Sequence, residues 1–224
     1  MTQQVRALVA ELLGSFFLLF LGGLAIWSAI ASGGSLVVIA FGFGLALLGG
    51  LYAFGEISGG HYNPAVSLGA FLDKRIDVAT LVQYIVAQVA GAILAGLALL
   101  WAASGSSAFP SAQAGVAATA TVPSVGISSA FLLEVLLTAI FVGVILKVTT
   151  SDTMGPSAFL AIPLTLVAVH LSGAPLSGAS VNPARTLGSA IVGGEYTDFW
   201  IFLIAPFIGA ALGWFFYQLV TRVE

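Results

Sequence analysis

The sequence predicts an all-α membrane protein with six transmembrane helices and two re-entrant half-helices, arranged as an inverted repeat. Two observations carry this prediction. The 224-residue chain is 59% hydrophobic and 7% charged, with a mean hydropathy of +1.11, whereas soluble domains carry about 25% charged residues. The tripeptide Asn-Pro-Ala occurs twice, as Asn63-Pro64-Ala65 and Asn182-Pro183-Ala184, each time within a strongly apolar half of the chain.

The composition also excludes several classes of protein. Without cysteine there is no disulfide framework, thiol nucleophile or Cys-ligated metal site. Two histidines and scattered carboxylates predict no metal site and no cofactor, and the common nucleophile and phosphate-binding motifs are absent, so we expect no enzyme. The net charge of -3 and the lack of a basic stripe argue against nucleic acid as a partner.

Six apolar runs have a length that suits a transmembrane helix, which needs about 20 residues. They cover residues 7–30, 36–56, 79–102, 127–149, 156–172 and 198–220. The first run has no cleavage site after a short apolar core and is interpreted as a span, not a signal peptide. The ten-residue alternation of a membrane barrel is absent.

Two further apolar runs, Pro64–Leu72 and Pro183–Val192, are about half the length needed to cross a bilayer. Short segments at matching positions in two halves indicate half-helices around a binding or conduction site. The uncharged segment 104–124 is interpreted as the linker between halves 1–103 and 125–224 of a single transmembrane channel domain.

The two halves correspond beyond the tripeptide. Asn63 and Asn182 are 119 residues apart, and Glu11 and Glu134, in the first helix of each half, are 123 apart. Three spans and one half-helix give an odd number of crossings, so the second half must be inverted. The half-helices then enter from opposite faces of the membrane and meet near its midplane.

Asn followed by Pro is a helix-start signal, because Asn caps free N–H groups and Pro tolerates the first helical position. A single copy would be explained by capping alone, but a pair at the centre of an inverted repeat indicates a pore. Each Asn amide can donate into the lumen, and two helix N-termini of about +0.5 charge each oppose cations and protons there.

Four ionisable side chains are placed within predicted membrane segments. Arg185, directly after the second tripeptide, is either a snorkelling residue or a cation at a pore mouth, and we favour the mouth. His170 is either a core histidine or a pore-lining residue. In the inverted repeat it lies at the same depth in the membrane as Arg185, which favours the pore-lining role. Glu11 and Glu134 form either a proton relay or acceptors for the irregular backbone before each half-helix, and their symmetry favours acceptors.

Basic residues predict the orientation, because they concentrate on the cytoplasmic side. With six spans, one side of the membrane holds the N-terminus, the second and fourth loops and the C-terminus. The basic residues at these places are Arg6, Lys74, Arg75, Lys147 and Arg222. We therefore expect both termini to be cytoplasmic, in a multi-pass protein of the plasma membrane (the inner membrane, in a bacterium).

The segments 58–66 and 180–185, which contain both tripeptides, resemble those of the major intrinsic protein family, the aquaporins, and especially bacterial water channels. The resemblance extends from Glu11 to Gly213. It implies a homotetramer with one pore per subunit in the lipid bilayer. It also implies a narrow filter formed by Phe43, His170, Ala179 and Arg185, and a ladder of pore-lining carbonyls from Gly59, Gly60, His61, Tyr62, Gly178, Ala179 and Ser180.

The resemblance implies a passive channel that conducts water in single file and excludes protons and ions. Glycerol-conducting members usually have Gly in place of His170 and Asp in place of Thr186. In two departures, Glu56 stands where near relatives often have His, and Leu203 where water channels commonly have an aromatic residue. A broader channel for glycerol, ammonia or peroxide, and a proton-coupled transporter, remain alternatives.

Overall fold

The computed structural model describes residues 1–120, 123–150 and 157–221, and these residues form nine helices and no strand. The helices are α1 (Gln3–Ala31), α2 (Leu36–Ser58), α3 (Pro64–Leu72), α4 (Val78–Ala103), α5 (Ala112–Ala117), α6 (Ile127–Thr150), α7 (Ala158–Gly173), α8 (Pro183–Gly193) and α9 (Phe199–Thr221). The six predicted spans correspond to α1, α2, α4, α6, α7 and α9. Pro156, at the start of the fifth predicted span, and Arg222 lie outside the described residues.

Five of these helices, α1, α2, α4, α6 and α9, are long and apolar enough to cross a membrane. The sixth, α7, has 16 residues, close to the lower limit of about 17 for a span. Large apolar side chains on the spanning helices point away from the bundle and are exposed, among them Leu21, Leu45, Val86, Ile140, Leu164 and Ile204. Such an exterior suits lipid and not water.

The two half-helices begin where the doubled tripeptide predicts. Asn63 precedes α3 and its side-chain oxygen accepts from Ala65 N at 2.9 Å. Asn182 precedes α8 and accepts from Ala184 N at 3.0 Å and from Arg185 N at 3.2 Å. Proline follows at the first helical position of each, where its missing N–H leaves no broken hydrogen bond.

The helix contacts repeat between the halves. Helix α1 packs on α2 and α4, and α6 packs in the same way on α7 and α9, while α2 meets α7 across the bundle. Each half-helix also packs against the last long helix of the other half, α3 on α9 and α8 on α4. The two halves therefore interlock around the half-helices.

Two glycines at equivalent positions allow this close packing. A Cβ atom on Gly91 of α4 would lie 2.1 Å from the carbonyl oxygen of Leu12 on α1. On Gly209 of α9 it would lie 2.4 Å from the carbonyl oxygen of Val135 on α6. In both places backbone meets backbone, as small residues permit between membrane helices.

Gly91→Ala is expected to destabilise the protein, because the added methyl group must push α4 away from the α1 backbone. Overpacking of this kind costs about 1–3 kcal/mol. The thermal unfolding midpoint in detergent measures the effect, and Gly49→Ala, where the added Cβ meets nothing within 4 Å, is the matched control. Equal midpoints for the two variants would contradict this packing.

The segment between the halves is more ordered than a plain linker. It contains α5, which packs on α4 and α8, and the carbonyl oxygen of Gly115 accepts from Trp27 Nε1 at 2.7 Å. Ser111 caps α5 by accepting from Ala114 N. No sequence pattern predicts this helix, because its six residues, Ala-Gln-Ala-Gly-Val-Ala, have no apolar periodicity.

The loop between α3 and α4 forms hydrogen bonds with the end of α6 and with the start of α4. Arg75 forms a salt bridge with Asp73 at 2.8 Å and donates to Thr149 on α6. Asp77 caps α4, and hydrogen bonds from the side chain and the backbone N–H of Thr80 lower the pKa of the Asp77 carboxyl. The cap is therefore charged at neutral pH and weakens only when acidification protonates it.

Candidate functional site

The two tripeptides meet at the centre of the bundle and are cross-linked by hydrogen bonds. Asn63 Nδ2 donates to the carbonyl oxygen of Val181 at 2.8 Å, and Asn182 Nδ2 donates to that of Tyr62 at 2.9 Å. An amide nitrogen has two N–H groups, so each Asn keeps a second one for the cavity beside it. The carbonyl of Tyr62, which the sequence analysis assigns to the pore ladder, thus has a partner within the protein.

A narrow cavity lies against both asparagines. The volume that the centre of a water molecule can occupy there is about 20 Å³, and about 10–15 Å³ is enough for one water. Its wall is largely apolar, with polar groups from a few side chains. The lining residues are Leu18, Phe43, Leu47, His61, Asn63, Phe141, Leu166, His170, Ser180, Val181, Asn182 and Arg185.

A wider vestibule lies at each end of this cavity. One vestibule, of about 340 Å³, shares His170 and Arg185 with the cavity and is called the Arg185 vestibule here. The other, of about 220 Å³, shares His61 and is called the Arg75 vestibule after another of its lining residues. The described residues therefore form two vestibules joined by a small cavity that has room for at least one water molecule.

Three of the four predicted filter residues meet at the neck toward the Arg185 vestibule. The rings of Phe43 and His170 stack with centroids 4.5 Å apart, and Arg185 Cζ lies 5.1 Å from the centroid of the Phe43 ring. Ala179 is fully buried and, among the described residues, does not line the cavity or either vestibule. Its methyl group faces Gly173 of α7.

The backbone before each half-helix is irregular in the same way in both halves. Gly59 and Gly178 have φ of 93° and 92°, and Tyr62 and Val181 have φ of 49° and 45°. Gly59 lines the Arg75 vestibule and Gly178 the Arg185 vestibule. Glycine adopts a positive φ without strain, but Tyr62 and Val181 carry backbone strain there, which persists only where the surroundings hold it.

Glu11 holds the first irregular segment. Its Oε1 accepts from Ser58 Oγ at 2.6 Å and from His61 N at 2.9 Å. Its Oε2 accepts from Tyr62 N and from Gln88 Nε2, both at 2.7 Å. All four partners are donors, and the carboxylate is fully buried.

Glu134 holds the second segment in an equivalent way. Its Oε1 accepts from Ser177 Oγ at 2.7 Å and from Ser180 N at 3.0 Å, and its Oε2 accepts from Val181 N at 2.9 Å. The position equivalent to Gln88 is Pro206, whose side chain has no donor, so the described residues show no counterpart of the fourth donor. Both carboxylates therefore bind donors of the irregular segments, and neither carboxylate lines the cavity or the two vestibules that the described residues form.

A model of the family described as "Major intrinsic protein" matches residues 1–217. The protein belongs to this family. The resemblance seen in the sequence is thus confirmed, and so are the aquaporin fold and the absence of enzymatic activity, since members of the major intrinsic protein family are membrane channels.

Individual members of the major intrinsic protein family match over most of their length. A glycerol uptake facilitator protein-like 6 from Lactiplantibacillus plantarum is 39% identical over 94% of this chain and 96% of its own. An aquaporin Z from Photorhabdus laumondii is 38% identical over 96% of this chain and 97% of its own. The X-ray structure of the aquaglyceroporin from Plasmodium falciparum superposes with a TM-score of 0.87 at 28% identity. The match covers 97% of this chain and 96% of that structure's chain.

Several polar residues of this major intrinsic protein were missed by the sequence analysis. Ser58 and Ser177 bind the two carboxylates, and Gln88 bridges Glu11 to Ser67 of α3. A signal was present for each: Ser58 and Ser177 are 119 residues apart, like the asparagines, and Gln88 is a polar residue within an apolar span. No cluster of metal-binding side chains was found among the described residues.

Proposed function

We propose that this channel conducts water passively and in single file, down an osmotic gradient. The small size of the cavity between Asn63 and Asn182 carries the proposal, since its volume of about 20 Å³ is little above the minimum that holds one water. Apolar walls with a few polar groups let water pass without binding it tightly, which conduction requires. Phe43, His170 and Arg185 form the selectivity filter at the neck, and the fourth residue that the family resemblance implies, Ala179, is buried against Gly173 of α7.

Protons and ions are excluded at the centre of the pore. A water oxygen that accepts from Asn63 and Asn182 cannot also accept from a neighbouring water, so the proton-conducting chain is interrupted. The N-termini of α3 and α8 add positive potential at the same point, and Arg185 adds a full charge at one neck. The carbonyl ladder that the family resemblance implies, from Gly59, Gly60, His61, Gly178, Ala179 and Ser180, supplies acceptors to the water file, whereas the carbonyl of Tyr62, also part of that ladder, accepts from Asn182 Nδ2.

Glu11 and Glu134 support a passive channel over a proton-coupled transporter. A proton relay would need carboxylates that face the lumen and can exchange their protons. Each oxygen of Glu11 instead accepts a backbone N–H, from His61 or Tyr62. We assign to both carboxylates the structural role of holding the loops that precede the half-helices.

A broader channel for glycerol and other small neutral solutes is the second candidate. One relative carries the name of a glycerol uptake facilitator, and the superposed structure is an aquaglyceroporin. Against this, the stacked rings of Phe43 and His170 narrow the neck. Stopped-flow light scattering of proteoliposomes under sucrose and then glycerol gradients separates the two: shrinkage without re-swelling supports water selectivity, and rapid re-swelling in glycerol supports the broader channel.

We further propose the assembly and orientation of the protein. As the family resemblance implies, four copies form a homotetramer with one pore in each copy of the single channel domain. Both termini lie on the cytoplasmic side of the plasma membrane, the side of Lys74 and Arg75. The bond from Gln218 near the end of α9 to Asp73 supports a shared side for that end and this loop.

Gly22→Ala is expected to reduce water permeability severalfold. A Cβ atom on Gly22 would lie 2.2 Å from Cε1 of Phe43, so the ring must move away from α1 and toward the neck. Osmotic shrinkage of proteoliposomes measures the loss, with Gly49→Ala as the control. Unchanged flux in the Gly22 variant would show that Phe43 does not set the width of the passage.

A further inference from the structure

His61 stands at the junction of the central cavity and the Arg75 vestibule, and a chain of hydrogen bonds connects it to Glu11. Its Nδ1 lies 3.0 Å from Ser67 Oγ. Gln88 Nε2 lies 2.9 Å from the same Ser67 Oγ and 2.7 Å from Glu11 Oε2. The chain thus runs from a buried carboxylate to an imidazole that lines the pore.

The direction of each bond in this chain follows from its first member. Glu11 Oε2 already accepts from the backbone N–H of Tyr62, and Gln88 Nε2 lies within hydrogen-bond distance of the same oxygen. The amide of Gln88 must therefore present its NH₂ group to Glu11, and the same nitrogen donates to Ser67. A hydroxyl has one proton, and Ser67 is left to donate it to His61 Nδ1. Neutral His61 must then carry its own proton on Nε2.

His170, at the other end of the cavity, is held in the opposite tautomer, with its ring proton on Nδ1. Its Nδ1 lies 2.9 Å from the carbonyl oxygen of Leu166, which can only accept, so the ring proton is on Nδ1. Its Nε2 is buried and has no hydrogen-bond partner among the described residues. A bare Nε2 is an acceptor, and His170 is one of the residues that line the cavity.

We propose that the chain from Glu11 through Gln88 and Ser67 fixes His61 as a hydrogen-bond donor to the permeating solute. Ser67 and Gln88 are positioning residues in this arrangement, and Nε2–H of His61 is the group that meets water. Its role as a donor to water depends on the proposed function, whereas the position of its proton does not.

The fixed donor makes the pore asymmetric. Ser180, equivalent to His61 in the second half, bonds to Thr186 Oγ1 at 2.6 Å and to the carbonyl oxygen of Asn182 at 3.1 Å. It therefore has no free donor for the solute. The Arg75 end of the cavity presents the donor of His61 beside those of the asparagines, and the Arg185 end presents the acceptor of His170 beside the cation.

Solid-state NMR of protein labelled with ¹⁵N-histidine in lipid bilayers tests the position of the protons. The chain has two histidines, so His170→Gly leaves the signals of His61 alone. We expect a protonated Nε2 and a bare Nδ1 for His61, and the reverse for His170 in the unsubstituted protein. A protonated Nδ1 on His61 would overturn the proposal.

Substitutions test whether the chain fixes this form. In the His170→Gly background, Ser67→Ala and Gln88→Leu are each expected to give a second signal from protonated Nδ1. Ser67→Thr keeps the hydroxyl, as Thr186 does at the equivalent position, and should keep the single form. An unchanged spectrum in both Ser67→Ala and Gln88→Leu would show that the chain does not position His61.

Water flux tests whether the donor serves the solute. With His170 present, Ser67→Ala is expected to lower water permeability by about two- to tenfold, the range for one hydrogen bond, and Ser67→Thr should restore it. Unchanged flux despite an altered spectrum would overturn the role of His61 in conduction. Absence of water flux in the unsubstituted protein would instead count against the proposed function and leave the NMR result standing.

Discussion

Glu11→Gln is expected to reduce water permeability more than tenfold and to lower the thermal stability of the protein. The glutamine has the same shape but replaces one acceptor oxygen with a donating NH₂ group. Whichever way it turns, either Ser58 and His61 or Tyr62 and Gln88 then face a donor in place of an acceptor. A buried donor left without a partner costs about 1–3 kcal/mol.

The effect on flux follows from what Glu11 holds. The backbone that it binds precedes α3 and lines the Arg75 vestibule, so its displacement moves His61 and Asn63 at the narrowest part of the pore. Osmotic shrinkage of proteoliposomes and the unfolding midpoint in detergent should fall together. Glu56→Gln is the matched control, because that carboxylate is exposed and should tolerate the change. Normal flux in Glu11→Gln would contradict the structural role.

Combined replacement of His170 by glycine and Arg185 by valine is expected to admit glycerol. The two side chains form the neck together with Phe43. The substitutions remove an imidazole and a guanidinium from its wall, so the neck becomes wider. They also remove the cation and the Nε2 acceptor, so the opening becomes wider and less polar at once. Wider, less polar necks favour solutes with carbon backbones over water alone.

Glycerol-driven re-swelling of proteoliposomes measures this change against unsubstituted protein. Glycerol permeability should rise at least severalfold while water permeability is retained. The matched control is Leu171→Ala, which truncates an exposed side chain next to His170 and should leave both permeabilities unchanged. Unchanged selectivity in the double variant would mean that the filter lies elsewhere in the passage.

The helices and the starts of the half-helices were predictable because they depend on local chemistry. Asn63-Pro64 and Asn182-Pro183 contain the cap and the first helical residue, and the structure begins α3 and α8 at those prolines. Apolar run length located the spans to within a few residues, apart from the first, which begins four residues before the predicted run. For Glu11 and Glu134 the sequence favours partners in the backbone before each half-helix, and both carboxylates do accept from backbone N–H groups there.

The geometry at the centre of the bundle was not predictable, because it depends on contacts between residues far apart in the chain. The cross-links from Asn63 to Val181 and from Asn182 to Tyr62 join positions 118 and 120 residues apart. No local pattern indicates which carbonyl an amide will reach. The position of Ala179 was also beyond the sequence, because its φ of 46° turns the methyl group toward α7 and away from the lumen.

Osmotic water flux through proteoliposomes, recorded together with a pH-sensitive dye inside them, tests the central claim most directly. A single-file pore with a bonded water at Asn63 and Asn182 should give fast shrinkage with a low activation energy. Under a pH gradient, the internal pH of the same vesicles should stay as stable as in protein-free liposomes. Shrinkage no faster than in empty liposomes, or a proton leak that rises with protein content, would contradict the account.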